Sequence, residues 1–324
     1  MKTPVRWGII GSGDVTEVKS GPPYQLTKNF ELKAVMRRDE DKVRDYARRH
    51  NVEKWYTDAD QLINSPNIDA VYIATPPDTH VKYGLKVAEA GKPCCIEKPL
   101  SPSYAESKKL VEKFEEKELS LFVAYYRRSL PKFDKIKELI DNHSIGNLRH
   151  IHWHLSKPAN DVDKSGKYNW RTDKIIAPGG YFDDLASHGL DLFAYYLGNY
   201  KNVYGTSTNQ QGLYESKDAL AASWIHENNV TGTGFWNFGS YERMDRVELL
   251  GSEGSLIFSV FGEDPITVTK KNGKEEINVS NPKHIQQFHV ENMRDALLDN
   301  KSHPSTGKTA LHTSWVMDRI LGVI

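Results

Sequence analysis

The sequence predicts an α/β chain in two parts. A doubly wound parallel sheet occupies residues 1–127, and an α+β part with a large, open, mostly antiparallel sheet occupies 128–324. Three observations lead there. Up to about residue 127, short apolar runs alternate with amphipathic stretches, which implies crossover helices between parallel strands. From 202 to 279, strand follows strand with turn residues between them and no helical period. Finally, 324 residues are more than one hydrophobic core usually serves.

In the first part the strands are the runs "VRWGII", "ELKAVM", "DAVYIA", "PCCIE" and "LSLFVAY". Helical patterns lie between them at 39–50, 58–65, 78–90 and 102–117, with Asp39, Asp58, Asp78 and Ser101 or Ser103 at the N-cap positions. Beyond about residue 148, "LRHIHWHLS" reads as a strand, 157–178 as a long polar loop and 181–197 as a helix. Asn228-Asn229, "GSEG" at 251–254 and "KNG" at 271–273 supply hairpin turns. Two helices, about 284–299 and 306–321, close the chain. With no helix period to cover its outer face, the antiparallel sheet is expected to mediate self-association into a homodimer or homotetramer.

Charge and composition narrow the function. Lys+Arg and Asp+Glu both number 43, so nothing draws the chain electrostatically to nucleic acid or an anionic membrane. The opening "MKTPVRWGII" is too short an apolar run for a signal peptide, and no run approaches the ~18 residues of a spanning helix. The two cysteines, Cys94 and Cys95, are adjacent, which suits neither a disulfide framework nor a zinc site. These features predict a cytoplasmic, soluble protein without a metal.

The first strand runs directly into Gly11-Ser12-Gly13-Asp14-Val15-Thr16. Gly11 permits a tight turn, and Gly13 lets the backbone approach a pyrophosphate at the start of the next helix. A strand before the glycines and an alternating α/β domain around them are the context that makes this a Rossmann dinucleotide site. Thr16 stands where glycine or alanine is usual, and "SGPP" at 20–23 predicts an irregular first helix. About 20 residues on, where an NAD enzyme keeps a carboxylate for the ribose hydroxyls, the chain has Arg37 and Arg38. Guanidinium forks match a 2′-phosphate, so NADP is favoured, with NAD possible. Asp39 and Glu40 alternatively make this only a capped helix entrance.

Together "GSGDV", "YIATPPDTHVKYGLKVAEAGKPCCIEKPLS" and "GGYFDDLASHGLDL" resemble the glucose–fructose oxidoreductase/inositol dehydrogenase (Gfo/Idh/MocA) family across essentially the whole chain. The resemblance implies an N-terminal Rossmann domain, a C-terminal α/β domain on an open antiparallel sheet, and NAD(P)-linked oxidation or reduction of a sugar, polyol or related carbonyl compound. It casts Lys98 of "EKP" as the catalytic lysine and Asp184 with His188 as the Asp-x-x-x-His pair. It casts Thr75, Pro76, Pro77 and His80 as the loop along the cofactor, and Trp170 with Arg171 as a pair reaching the cofactor from the second domain. Tyr181 replaces the third glycine of the family's "GGG". Among subgroups, the double arginine, "AYYRR" and "WR" look closest to NADP-dependent reductases of ketosugars such as 1,5-anhydrofructose.

The chemistry gives these residues distinct tasks. Alcohol oxidation sends a hydride to the nicotinamide and a proton off the oxygen, and a lysine can carry that proton once burial or a nearby cation makes it less basic. Lys98, extended before Pro99 at a parallel strand's tip, stands where ligands bind such sheets. Glu97 points the other way along the strand, toward the nicotinamide ribose or neighbouring backbone. Asp184 and His188 share a helix face. His188 reads as a substrate-hydroxyl contact sharing acid/base work, and Asp184 as its orienter or a second sugar ligand. Tyr125 and Tyr126 are read either as cofactor or substrate contacts or as interdomain packing. The competing classes are a non-catalytic NAD(P) sensor and an NAD-assisted glycosidase. The former has no use for Lys98, Asp184 and His188 together, and the latter would release glycoside without cofactor turnover.

Overall fold

The computed structural model describes residues 2–324. The chain forms two compact units: one takes the chain up to Ser129 together with Pro282–Leu311, the other Leu130–Asn281 with His312–Ile324.

Six strands build the first unit's sheet: β1 (Val5–Ile10), β2 (Phe30–Met36), β3 (Lys54–Tyr56), β4 (Ala70–Ile73), β5 (Cys94–Ile96) and β6 (Leu121–Val123). They run parallel in the order β3-β2-β1-β4-β5-β6, a doubly wound sheet. Alternation along the strands fills two cores. Ile73, Cys94, Ile96 and Val123 face Leu62, Val87, Leu110 and Phe114 from helices on one side. Trp7, Tyr72, Cys95 and Phe122 face Tyr24, Tyr46, Val290 and Met293 on the other. Adjacent cysteines on a strand point to opposite faces, and both thiols are free and fully buried.

Two features differ from the sequence reading. Strand β3 has no apolar run to announce it, because at the sheet's edge its Lys54 is exposed and Trp55 and Tyr56 are only half-buried. Residues 282–311, read as part of a second domain over 128–324, group with the first unit instead. The helix Gln287–Asp299 presents Val290 and Met293 to the core around Trp7 and Tyr72. Its sequence carries an apolar face but no mark of which sheet that face covers. The irregular first helix is present as Asp14–Val18 and Pro23–Leu26. Between them Gly21 passes so close to Thr16 that a Cβ would lie 2.1 Å from its carbonyl oxygen.

The second unit holds eight strands: β7 (Leu148–Ser156), β8 (Tyr200–Thr208), β9 (Ala219–His226), β10 (Thr231–Asn237), β11 (Met244–Gly251), β12 (Gly254–Phe258), β13 (Ile266–Lys270) and β14 (Gly273–Ile277). Their order is β14-β13-β12-β11-β7-β10-β9-β8, antiparallel except for the β7–β10 pair. One face is buried through Trp153, Trp236, Val247 and Leu249. The helix Ser187–Leu197 lies so close to it that a Cβ on Gly189 would meet the Trp153 ring at 2.5 Å. The other face carries the alternate residues, among them exposed Tyr204, Phe235 and Leu250.

The predicted helix 181–197 is two structures: a π-helical turn, Phe182–Ala186, running into the α-helix Ser187–Leu197. Asp191 is 1% exposed, and its Oδ1 accepts from Thr313 Oγ1 at 3.2 Å.

Candidate active site

In the first unit the glycine loop is built for close approach. Gly11 has φ +95°, and a Cβ there would strike the Ala74 carbonyl at 2.9 Å, so the turn requires glycine. Gly13 meets nothing nearer than the Gly11 carbonyl at 3.9 Å, which leaves its backbone open to a phosphate. Ser12 is buried and its N–H, like that of Gly11, donates to the Met36 carbonyl at the end of β2. Asp14 is exposed and Val15 half-buried beyond it. The loop fits a dinucleotide.

The arginine pair divides its labour. Half-buried Arg37 donates from Nη1 to the Ser12 carbonyl at 3.0 Å and so braces the loop itself. Arg38 is exposed and makes no hydrogen bond or ion pair among the described residues. Asp39 is an N-cap, accepting from the Lys42 N–H at 3.1 Å.

The segment after β4 is tied to the tip of β5 through His80. Its ring is fully buried, with Nε2 2.8 Å from the Thr75 carbonyl and Nδ1 3.0 Å from the Pro99 carbonyl. Burial lowers its pKa despite those two carbonyls, and a neutral imidazole has one N–H to donate. His80 therefore supports the loop from beneath, where the resemblance placed it along the cofactor. Thr75 takes a 2.7 Å bond from Thr79, Pro76 is exposed and Pro77 buried.

Glu97 is likewise a support, 8% exposed. Its Oε1 accepts from Tyr72 Oη at 2.5 Å and Gln286 Nε2 at 2.8 Å, and its Oε2 accepts from the Lys98 N–H at 3.3 Å. One of these partners is neighbouring backbone, the Lys98 N–H. Lys98 follows, half-buried, at the strand's end. Behind Glu97, Cys95 Sγ lies 3.8 Å from His289 Nε2, and burial drives the Cys95 thiol far up, so it offers no thiolate. Tyr125 is a core residue of this unit, 1% exposed, beside Val123 and Leu110. Tyr126 is half-buried with the Arg127 guanidinium 5.1 Å from its ring.

The second unit holds the other predicted residues. Asp184 accepts a 2.8 Å charge-assisted bond from Arg171 Nε, and the Arg171 guanidinium stacks 4.4 Å over the Trp170 ring. Trp170, Arg171 and Asp184 thus form one array, a link the sequence did not suggest. His188 is 4% exposed, edge-on to Phe261 at 5.9 Å. Neighbouring Asp183 is 5% exposed and accepts from the Gly179 N–H at 2.8 Å. Burial, helped by the charges of Asp318 and Asp184 and opposed by that N–H, pushes its pKa up to about 7.

Sequence reasoning missed Tyr72, Gln286, Asp183 and Lys157. A tyrosine inside an apolar strand run was a readable signal, since a buried hydroxyl needs a partner. Gln286 stands 189 residues from Glu97 and carried none. Among the described residues no three His, Cys, Asp or Glu are placed to hold a metal ion, and no helix is long and apolar enough to cross a membrane.

A doubly wound sheet with an open glycine loop, joined in one chain to an open antiparallel sheet, defines a dinucleotide-binding oxidoreductase class. Residues 5–125 match the oxidoreductase family with an NAD-binding Rossmann fold, and 133–257 match the GFO/IDH/MocA C-terminal domain. "Oxidoreductase P35" of Formosa agariphila is 39% identical, over 99% of this chain and 100% of that one. Myo-inositol 2-dehydrogenase of Thermotoga maritima is 25% identical over 91% of this chain and 85% of its own. Levoglucosan dehydrogenase in complex with NADH and L-sorbose superposes with TM-score 0.87 at 21% identity, covering 98% of this chain and 95% of that one, a likeness of fold. The chain belongs to the Gfo/Idh/MocA family and is an oxidoreductase with an NAD-binding Rossmann domain.

Proposed function

We propose that this protein moves a hydride between a nicotinamide dinucleotide, NADP in preference to NAD, and a hydroxyl or carbonyl carbon of a sugar or polyol. The single observation that carries the reading is the tip of β5: a half-buried Lys98 whose own N–H is held by Glu97, itself fixed by Tyr72 and Gln286. Such a scaffold suits a proton carrier, because proton transfer requires an amine placed to within a fraction of an ångström. Relatives named for myo-inositol and levoglucosan support the substrate class.

When bound, the nicotinamide supplies the hydride acceptor or donor. The chain's residues do the rest. The 11–13 loop would hold the pyrophosphate on its backbone, and exposed Arg38 would bind a 2′-phosphate. The Lys98 ammonium gives a proton to the substrate oxygen in reduction and, as the free amine, removes it in oxidation. In the second unit, Asp184, oriented by Arg171, and His188 bind substrate hydroxyls. The exposed face of the β8–β14 sheet, with Tyr204 and Phe235, serves self-association into a dimer or tetramer. Following absorbance at the reduced nicotinamide band with NADPH or NADH against ketoses (1,5-anhydrofructose included), aldoses and dicarbonyls tests the reading, as do NADP and NAD against inositols and aldoses. Tight dinucleotide binding with no redox change across the panel and the matching sugar acids would overturn it.

A further inference from the structure

The end of β7 carries a cation that the proposed reaction does not use. Lys157 follows Ser156 and places its ammonium 3.5 Å from the centroid of the Tyr181 ring. That ring is fixed from its other end. Tyr181 Oη accepts from Asn160 Nδ2 and, at 2.9 Å, from Asn169 Nδ2, and donates to Asp163 Oδ2 at 2.7 Å. A tyrosine where the family keeps a third glycine thus becomes a rigid platform under an ammonium.

Lys157 is half-buried, and among the described residues its Nζ makes no hydrogen bond and no ion pair. The carboxylates near it are committed elsewhere, Asp163 to Tyr181 and Asn169 and Asp184 to Arg171. A second cation stands close. Met244 pairs with Ser156 at the end of the β7–β11 ladder, and Arg243 and Lys157 are the next residues along the two strands. Burial lowers the Lys157 pKa, with Arg171 and Arg243 acting in the same direction and Asp163 and Asp184 against it. Arg171 and Arg243 thus act against Asp163 and Asp184 around an ammonium that is partly withdrawn from water and pairs with neither carboxylate. Keeping it so costs free energy that an incoming anion would offset. Neutral hydroxyls do not call for this arrangement, whereas one carboxylate completes it.

We propose that Lys157, with Arg243 beside it, is a specificity-determining cation for the carboxylate of a sugar acid, so that the substrate is a uronate or aldonate rather than a neutral sugar. The proposal deepens the oxidoreductase reading and rests on it for the word substrate. The test compares D-glucuronate with D-glucose and D-galacturonate with D-galactose, pairs that differ in the anionic group, using wild type, Lys157→Met and Lys157→Arg with both dinucleotides. The acids should exceed their neutral partners in kcat/KM. Lys157→Met should lower the value for the acids about ten- to a hundredfold, the range of one charge-assisted bond, and change that of the neutral sugars less than about threefold, while Lys157→Arg retains most of the preference. Preference for the neutral sugars, or an equal loss on both classes, overturns the proposal.

A binding arm separates the two readings. D-Glucuronate and D-glucose 6-sulfate are titrated calorimetrically into the NADH-loaded protein. If no sugar is oxidised or reduced yet glucuronate binds and is lost in Lys157→Met, the oxidoreductase reading of the substrate falls and the carboxylate subsite stands. Binding of the sulfate ester without glucuronate, or of neither, overturns the carboxylate. Unchanged thermal unfolding of Lys157→Met guards against a folding defect.

Discussion

Tyr72 on β4 donates a 2.5 Å hydrogen bond to Glu97, one residue beyond β5, across strands that pair Tyr72 with Cys95. Both groups are buried, and Glu97 in turn holds the backbone N–H of Lys98. Tyr72→Phe leaves the carboxylate with Gln286 and that N–H alone. Loss of a bond to a buried charge costs about 1.5–3 kcal/mol, so chemical denaturation should show a drop of that order. Turnover should fall severalfold with cofactor affinity unchanged. Wild-type stability in Tyr72→Phe would mean that Glu97 is not held by this bond.

Lys98→Met retains the aliphatic stem and removes the ammonium. The expected result is dinucleotide affinity near wild type with turnover lower by ~10²-fold or more, the usual scale for a lost general acid/base. Fluorescence titration of NADPH beside steady-state kinetics reads both quantities. Near-full activity would exclude Lys98 as the proton carrier.

The two arginines should separate in cofactor selection. Arg38 is exposed and uncommitted, so Arg38→Ala should shrink an NADPH-over-NADH preference by up to about tenfold, at the low end for a charge-assisted bond because solvent screens it. Arg37 holds the Ser12 carbonyl, so Arg37→Ala should weaken both dinucleotides together. Titration of both cofactors into wild type and the two variants decides the matter. A wild type that prefers NADH defeats the NADP assignment, and an unchanged ratio in Arg38→Ala defeats the role given to that residue.

Asp183 makes a pH prediction. Its pKa is pushed up to about 7 by burial, against roughly 3.9 in an unfolded chain. The folded state therefore holds the proton more tightly. The resulting stability is fully present below about pH 4 and is lost as pH rises through about 7. Asparagine keeps an acceptor for the Gly179 N–H and cannot ionise. Calorimetric scans at pH 5 and 8 should show the melting temperature of wild type falling further than that of Asp183→Asn. Parallel pH dependence in the two proteins would show that Asp183 does not titrate there.

Local signals in the sequence determined much of this protein. The short apolar runs and capped helices specified the parallel strands and their crossovers, because a central parallel strand buries both faces and a crossover helix one. Asn228-Asn229, "GSEG" and "KNG" marked hairpins that are present between β9 and β10, β11 and β12, and β13 and β14. Gly11 was legible because no other residue tolerates its backbone so close to Ala74, and Gly13 because a phosphate needs an open backbone to approach.

What the tertiary structure alone decided is which distant residues share a surface. The helix Gln287–Asp299 covers the first unit's sheet, and Gln286 grips Glu97, although an apolar face and an amide carry no address. Arg37 turns to the Ser12 carbonyl, His80 sinks beneath its own loop, and Arg171 joins Asp184. A lysine at residue 157 looks like any strand-end cation until the end of the β7–β11 ladder brings Arg243 near it and Tyr181 closes beneath it. Sequence periodicity reports the environment each residue needs, whereas partners are chosen by packing, which brings together positions that no local pattern connects.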